Sequence, residues 1–476
     1  MSGPAVSSGG ASPAQPRPPL RVAIATVGTR GDVQPYVALA LALRRRGHSV
    51  VVATEARMEA FVRGFGGGLE WRCIEGDSAG LLFQPEAQRA LAESNMWRLI
   101  ALTSAWEKKF DKAAVLRSYE AALAGADVVV GAGLTMTPSM CVAERIGAAW
   151  VPMLLGPTLP TSEFPFFLLA GLACGCRCLH KWTYHVAFRA LWDQERPLVN
   201  KWRAESLRLA PIAGSLGVVG AVERLAPPVL IACSRLFCGP ARRVPGDYPP
   251  NALVGGFVFA PTVEESGEAV DPALAAFLAR AASDGAPVVY LGFGSMPAAD
   301  PKRLLKLAAD VCALLRCRAV IVAGWSGAAD AAAADATGGG GGSGGDSALL
   351  VVKAAPHDWL FPRMRCIVHH AGVGTTAAAL LAGVPQVPCP FMLDQPHNAK
   401  IVVALGAAPS FVPYSAKLRA AELASAMARA MDPAQPFAAA AARCGAEIRA
   451  ESAGALDRYA ALVEGATPQW GRLLDA

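Results

Sequence analysis

The chain has 476 residues, too long for one ordinary domain and comfortable for two of about 200 each. Its charge balance is +6 and no basic run stands out, so composition offers nothing for a nucleic-acid partner. Hydrophobic residues make up 53% and charged residues 17%, which excludes global disorder and raises the question of a membrane protein. The longest stretch without Asp, Glu, Lys or Arg runs from Cys366 to Leu393, longer than the ~20 residues that span a bilayer.

Residues 1–20 are mostly Ser, Gly, Pro and Ala, with Arg17 and no apolar core, and read as a disordered tail rather than a signal peptide. Residues 21–27 (RVAIATV) form an apolar run ending at Gly28, and Val33 to Arg46 has helical spacing with arginines at its end, where the helix dipole favours cations. Further β runs follow at 49–55, 69–74, 127–133 and 149–156, with helical segments between them. Strands apolar on both faces that alternate with helices indicate a parallel sheet covered on both sides, a doubly wound α/β domain over 21–238. Residues 239–269 read as a linker. The pattern restarts at 288–295, 318–325, 349–354, 365–370 and 384–390, a second Rossmann-like domain over 270–465, followed by a tail at 466–476. The Gly/Ala-rich stretch 326–347 reads as a flexible surface loop. Two such domains facing each other place a ligand cleft at the carboxyl ends of both sheets.

The twelve cysteines are scattered, which suits reduced thiols in a cytoplasmic protein. Cys174, Cys176 and Cys178 lie close to His180, but a zinc site wants C-x2-C spacing and a distant partner pair, so no metal is expected. Residues 163–203 mix Phe, Leu and Trp with Arg177, Lys181, Arg189 and Lys201. That mixture suits a membrane interface or the mouth of a lipid-acceptor pocket, and equally an ordinary core helix pair with a basic rim.

The chemistry concentrates between Arg365 and Asn398. His369 and His370 end a strand, Gly372, Gly374, Thr375 and Thr376 follow, and an Ala/Leu helix begins. Glycines allow a ligand close to the backbone, and a helix N-terminus offers free N–H groups and the positive dipole end, a phosphate cradle. Gly372, Gly374 and Ala377 also fit a dinucleotide GxGxxA pattern, with Asp394 about 20 residues on. A plain strand–helix turn, with glycines serving only packing, is the third reading.

Several motifs in order carry a resemblance. VVYLGFGSMPAADP, VAGW, PHDWLFPRMRCIVHHAGVGTTAAALLAGVP and PFMLDQPHNA resemble the donor half of the GT-B nucleotide-sugar glycosyltransferases. Together with VGTRGDVQPYVALALALRRRGHSV, LVNKWRAESLRL and IACSRLF they are most similar to the sterol 3-β-glucosyltransferases and their microbial relatives, from residue 20 to about 430. The resemblance implies a UDP-sugar, UDP-glucose first, as co-substrate, with no tightly bound cofactor. His370 should donate to the α-phosphate, with Gly372, Gly374, Thr375 and Thr376 cradling the diphosphate and Ser295 facing it. Pro356, His357 and Trp359 should hold the uracil and the rim, with Trp325 of VAGW nearby. Asp394 and Gln395 should bind sugar hydroxyls. Gly28, Thr29, Arg30 and Gly31 form the loop that faces this donor site from the first domain.

Two departures stand out. Ala377 to Ala379 fill the region where the plant small-molecule branch carries a ribose-binding Glu, so the ribose contact is unassigned. Ala371 stands where the sterol branch usually has Gly, tolerable only with a negative φ.

Transfer to an alcohol needs a base, and Asp32 of GTRGD is the candidate; in the family this loop carries an Asp or a His. Asp is also a favoured helix cap, and Asp32 stands just before the expected helix, so a purely structural role is the competing reading. No DxD motif precedes the site, so the expectation is inverting, metal-independent transfer to a sterol or similar apolar alcohol. The alternatives are another lipid, polyketide or small-molecule acceptor with a different nucleotide sugar, a non-catalytic nucleotide-sugar-binding module, and a nicotinamide oxidoreductase. The uncharged run Cys366–Leu393 is no membrane span, because Pro385, Pro388, Pro390 and a His pair interrupt it.

Overall fold

The computed structural model describes residues 18–473, apart from residues 94, 173–175, 268, 294–299, 324–346, 392 and 416. Ser295, Trp325 and nearly all of the 1–20 and 326–347 segments named above lie outside the described residues.

The first sheet has seven parallel strands in the order β3-β2-β1-β4-β5-β6-β7. They are β1 (Arg21–Ala25), β2 (Ser49–Glu55), β3 (Glu70–Ile74), β4 (Val128–Gly131), β5 (Ala149–Leu154), β6 (Val229–Ile231) and β7 (Ala252–Val254). Alternation along each strand splits its side chains between two cores. Val22, Ile24, Val128 and Val130 pack on one face with Val33 and Val37. Ala23, Ala25, Val129 and Trp150 pack on the other with Met140 and Val142.

The second sheet has five parallel strands in the order β10-β9-β8-β11-β12. These are β8 (Val288–Gly292), β9 (Arg318–Val322), β10 (Leu349–Val352), β11 (Cys366–His369) and β12 (Gln386–Pro388). In each sheet the chain order reverses once, between β1 and β4 and between β8 and β11. The loops leaving strands at a reversal diverge to opposite faces and open a crevice at their carboxyl ends.

Three boundaries differ from those expected. β7 adds to the first sheet from inside the stretch read as a linker, so that sheet runs past residue 238. The helix Ala455–Glu464 leaves the second domain and packs on the first, placing Tyr459 and Val463 in the core with Val22 and Ile24. The Tyr459 hydroxyl donates to the Ile231 carbonyl at 2.8 Å, and Arg46 Nε meets Glu464 at 2.7 Å. Residues after 465 are no free tail, because Trp470 Nε1 donates to the Ala148 carbonyl at 2.9 Å. The helix and Trp470 cover opposite faces of that sheet: Tyr459 and Val463 join the core of Val22 and Ile24, and Trp470 packs against the core that holds Ala23 and Trp150.

Candidate functional site

The first wall of the crevice follows β1. Gly28 adopts φ 121°, a conformation open to glycine, and a Cβ there would collide with Asp32 Oδ2. The helix begins at Arg30 rather than Val33, with Thr29 as its cap and Asp32 in its first turn. Asp32 Oδ2 accepts from the Thr29 amide at 2.8 Å and the Thr29 hydroxyl at 2.9 Å, a capping box. The same residue lines the cavity described below, so Asp32 both holds the loop and borders the crevice. Asp32 keeps an exposed surface, yet the crevice walls crowding its carboxylate still raise its pKa above the ordinary value, against the lowering effect of the Thr29 bonds. Gly31 is exposed. The Arg30 guanidinium lies 5.2 Å over the Phe61 ring.

The second wall follows β11. His369 is fully buried: its Nε2 meets Gln386 Oε1 at 2.7 Å and its Nδ1 accepts from the Ala371 amide at 3.1 Å. Its role is therefore to shape the turn. Ala371 sits at φ 65°, contrary to the expectation that alanine here requires a negative φ. Two hydrogen bonds hold this strained residue, the one from its amide to His369 and another to its carbonyl from Asn398 Nδ2 at 2.9 Å. Gly372 caps the helix Val373–Leu381, and a Cβ at Gly372 would collide with His370 Nε2. Nothing lies within 4 Å of where a Gly374 Cβ would stand. The amides of Val373, Gly374 and Thr375 precede the first intrahelical bond, which runs from Thr376 to Gly372. The Thr376 hydroxyl, expected at the diphosphate, donates instead to the Gly372 carbonyl at 2.9 Å. His370 Nδ1 is buried with no partner. Burial lowers the His370 pKa to about 3 and that of His369 to about 4, so both are neutral at pH 7.

Asp394 precedes the helix Gln395–Ala404, and its Oδ2 accepts from Asn398 Nδ2 at 2.8 Å. Burial first, and the charge of Asp32 as a lesser cause, raise its pKa to about 6. Gln395 is buried and its Oε1 accepts from the Phe391 amide at 2.9 Å, so that oxygen is occupied within the protein. Pro356 caps the short helix His357–Leu360 after β10. The His357 ring stacks on Phe361 at 4.2 Å, and Arg363 lies 4.2 Å over Trp359. Both rings expected to hold the uracil thus have a protein group on one face, and neither lines the central cavity.

That cavity, of about 300 Å³, lies between the two walls. Asp32 and Tyr36 enter from one side and Val373, Asp394, His397 and Asn398 from the other. Its apolar side comes from the 163–203 segment, with Phe164, Phe166, Phe167 and Tyr184, and from Phe237. His397 and Asn398 were not among the residues singled out from sequence; the PHN triplet after Asp394-Gln395 is the signal for them.

Residues 22–149 match the glycosyltransferase family 28 N-terminal domain, and residues 347–455 match the erythromycin biosynthesis protein CIII-like C-terminal domain. The sterol 3-beta-glucosyltransferase of Leptosphaeria maculans is 31% identical over 82% of this chain and 25% of its own length. The Neurospora crassa enzyme of the same name is 28% identical over 82% of this chain and 24% of its own, and the Arabidopsis thaliana sterol 3-beta-glucosyltransferase UGT80B1 is 29% identical over 84% and 61%. The chain therefore spans about a quarter of the length of these fungal relatives. Among solved structures, the calicheamicin glycosyltransferase CalG4 superposes with a TM-score of 0.60 at 19% identity, over 95% of this chain and 99% of that one. The glycosyltransferase VinC in complex with DTDP gives 0.58 at 21%, over 93% and 99%. The chain has the GT-B fold. In sequence it is similar to sterol 3-beta-glucosyltransferases, and its crevice is the one between two Rossmann-like domains that the fold provides.

Proposed function

We propose that this GT-B chain transfers a hexose, glucose first, from a UDP-sugar to the hydroxyl of a sterol or similar flat apolar alcohol, with inversion. One observation carries the reading: Asp32, an aromatic wall and Val373, the first residue of the helix that follows the buried His370, line one cavity together with Asp394. The diphosphate sits on the amides of Val373, Gly374 and Thr375, with the helix dipole and a His370 N–H stabilising its charge. The acceptor oxygen attacks the anomeric carbon, the bond from that carbon to the diphosphate breaks, UDP leaves, and the hydroxyl proton passes to Asp32. Attack from the side opposite the diphosphate inverts the centre. The chain's own donors supply the electrostatic relief of the leaving group, so the step is proposed to be metal-independent. Asp394 takes sugar hydroxyls, and Ser295 and Trp325 complete the donor site. The test is UDP release from UDP-glucose, with dTDP-glucose alongside, against a panel of sterols, other lipids and polyketides. Release with sterols supports the reading. The likeness to the erythromycin biosynthesis protein CIII-like domain favours a polyketide acceptor as second reading, and release with polyketides alone replaces the first.

The acceptor is then a membrane lipid, and the same segment that lines the cavity presents exposed Leu168, Trp182 and Val186 beside Arg177, Lys181 and Arg189. Among the described residues no helix is long and apolar enough to cross a membrane. We propose a peripheral contact of this face with an anionic bilayer. Co-sedimentation with anionic vesicles should fall on Trp182→Ala combined with Leu168→Ala; unchanged binding contradicts the contact.

A further inference from the structure

We propose that Asn398 is a positioning residue that couples the shape of the diphosphate turn to the placement of the sugar-binding carboxylate. The inference rests on the reading above, in which the turn after β11 takes the diphosphate and Asp394 the sugar. Asn398 lies one turn into its helix and is 5% exposed. Its single amide nitrogen donates to the Ala371 carbonyl at 2.9 Å and to Asp394 Oδ2 at 2.8 Å. Both partners are acceptors only, so the amide must present its nitrogen here; its oxygen would face two lone-pair groups.

Each partner is a group that needs holding. Ala371 has φ 65°, which its Cβ disfavours, and its amide is already fixed by His369 Nδ1 at 3.1 Å. Asn398 fixes the carbonyl of the same residue, so the turn that aims Gly372 and His370 is clamped on both sides of one strained position. Asp394 is half-buried near Asp32, and the Asn398 bond is what orients it. One side chain therefore sets two parts of the donor site, and loosening one loosens the other. A residue that merely glues the helix to the sheet would lower stability without distinguishing nucleotide from nucleotide-sugar.

The experiment is calorimetric titration of the full chain with UDP and with UDP-glucose, for wild type, Asn398→Ala, Asn398→Asp, Ala371→Gly and Ala371→Gly with Asn398→Ala. Loss of a buried charge-assisted donor sets the scale at ~10-fold. Asn398→Ala should weaken UDP ~10-fold and UDP-glucose by more, so that the extra affinity conferred by the sugar shrinks. In the Ala371→Gly background the turn no longer needs the clamp. There the UDP loss should be largely restored, while the sugar increment stays lost. Asn398→Asp keeps the packing and sets a third acceptor against two, so it carries the same comparison if the alanine variant folds poorly. Wild type binding neither nucleotide overturns the donor-site reading and this inference together. Wild-type affinities in both Asn398 variants overturn the inference alone, as does a loss equal for UDP and UDP-glucose that Ala371→Gly leaves unchanged.

Discussion

Asp32 closes a capping box and lines the cavity. Its Oδ2 accepts from Thr29, and its carboxylate is the group proposed to take the acceptor's proton. Asparagine keeps an oxygen for the Thr29 amide but cannot take a proton, so Asp32→Asn should lower transfer ~10²–10⁴-fold with UDP-glucose binding retained in a titration. Full activity in that variant removes Asp32 from the base role. Asp32→Ala should cost a further ~1 kcal/mol of stability through the lost cap, read as a lower unfolding midpoint. Asp394 carries a pH signature. Its folded pKa, about 6, lies above the ordinary carboxylate value, so ionising it in the folded state is unfavourable. Stability is therefore present below the ordinary value of ~3.9 and declines as pH rises towards 6. Asp394→Asn should raise the melting temperature at pH 7–8 relative to wild type, with the gain vanishing near pH 4, while UDP-glucose binding weakens. A melting temperature unchanged across that window contradicts the burial argument. Ala371→Gly should stabilise the fold by about 0.5–1 kcal/mol, since removing the Cβ relieves the left-handed strain more than glycine's added freedom costs; chemical denaturation reads it.

The strand–turn–helix unit after β11 is the element proposed to take the donor. Its chemistry is legible in sequence, because a His pair, spaced glycines and an uncharged helix start are each local features. The allocation of groups within it is not. His369 and His370 are adjacent and chemically identical, yet one is spent on Gln386 and the Ala371 amide while the other has a buried, unpartnered nitrogen. Thr375 and Thr376 divide in the same way, through a bond to the Gly372 carbonyl that no spacing announces. Gly372 is the position with a steric reason to be glycine, so Gly372→Ala should displace His370 and abolish UDP binding in a thermal-shift assay, with circular dichroism little changed. The sheets show the same division. Strands of four to seven residues such as β2 and β4 stand out as apolar runs, whereas β6 and β7 have three residues each and gain their place only by pairing in the sheet.

At the scale of the whole molecule, the chain order β8-to-β12 returns to the first domain through the Ala455–Glu464 helix. Helical spacing over those residues does not say which sheet they cover, and Tyr459 decides it only in three dimensions, through bonds to Ile231 and Gly255. Tyr459→Phe should cost about 1–3 kcal/mol by leaving buried backbone groups unpaired, measured as an earlier unfolding transition. The return matters for function because it fixes one wall of the cavity against the other. Asp32 and Asp394 come from different domains, yet the charge of one raises the pKa of the other. The apolar side of the cavity, from Phe164 to Tyr184, comes from a segment whose composition fits both a core and an acceptor site, and the fold places these residues both in the core and along the cavity.

In the proposed reaction Asp32 deprotonates an apolar alcohol opposite a diphosphate held on the Val373 helix start. The most direct measurement is the anomeric configuration of the product, by the proton coupling at the anomeric carbon, after incubation of wild type and Asp32→Asn with UDP-glucose and the acceptor that releases most UDP. A β-glucoside is expected from wild type and almost none from the variant. An α-glucoside, or equal yields from the two proteins, would contradict the proposed reaction.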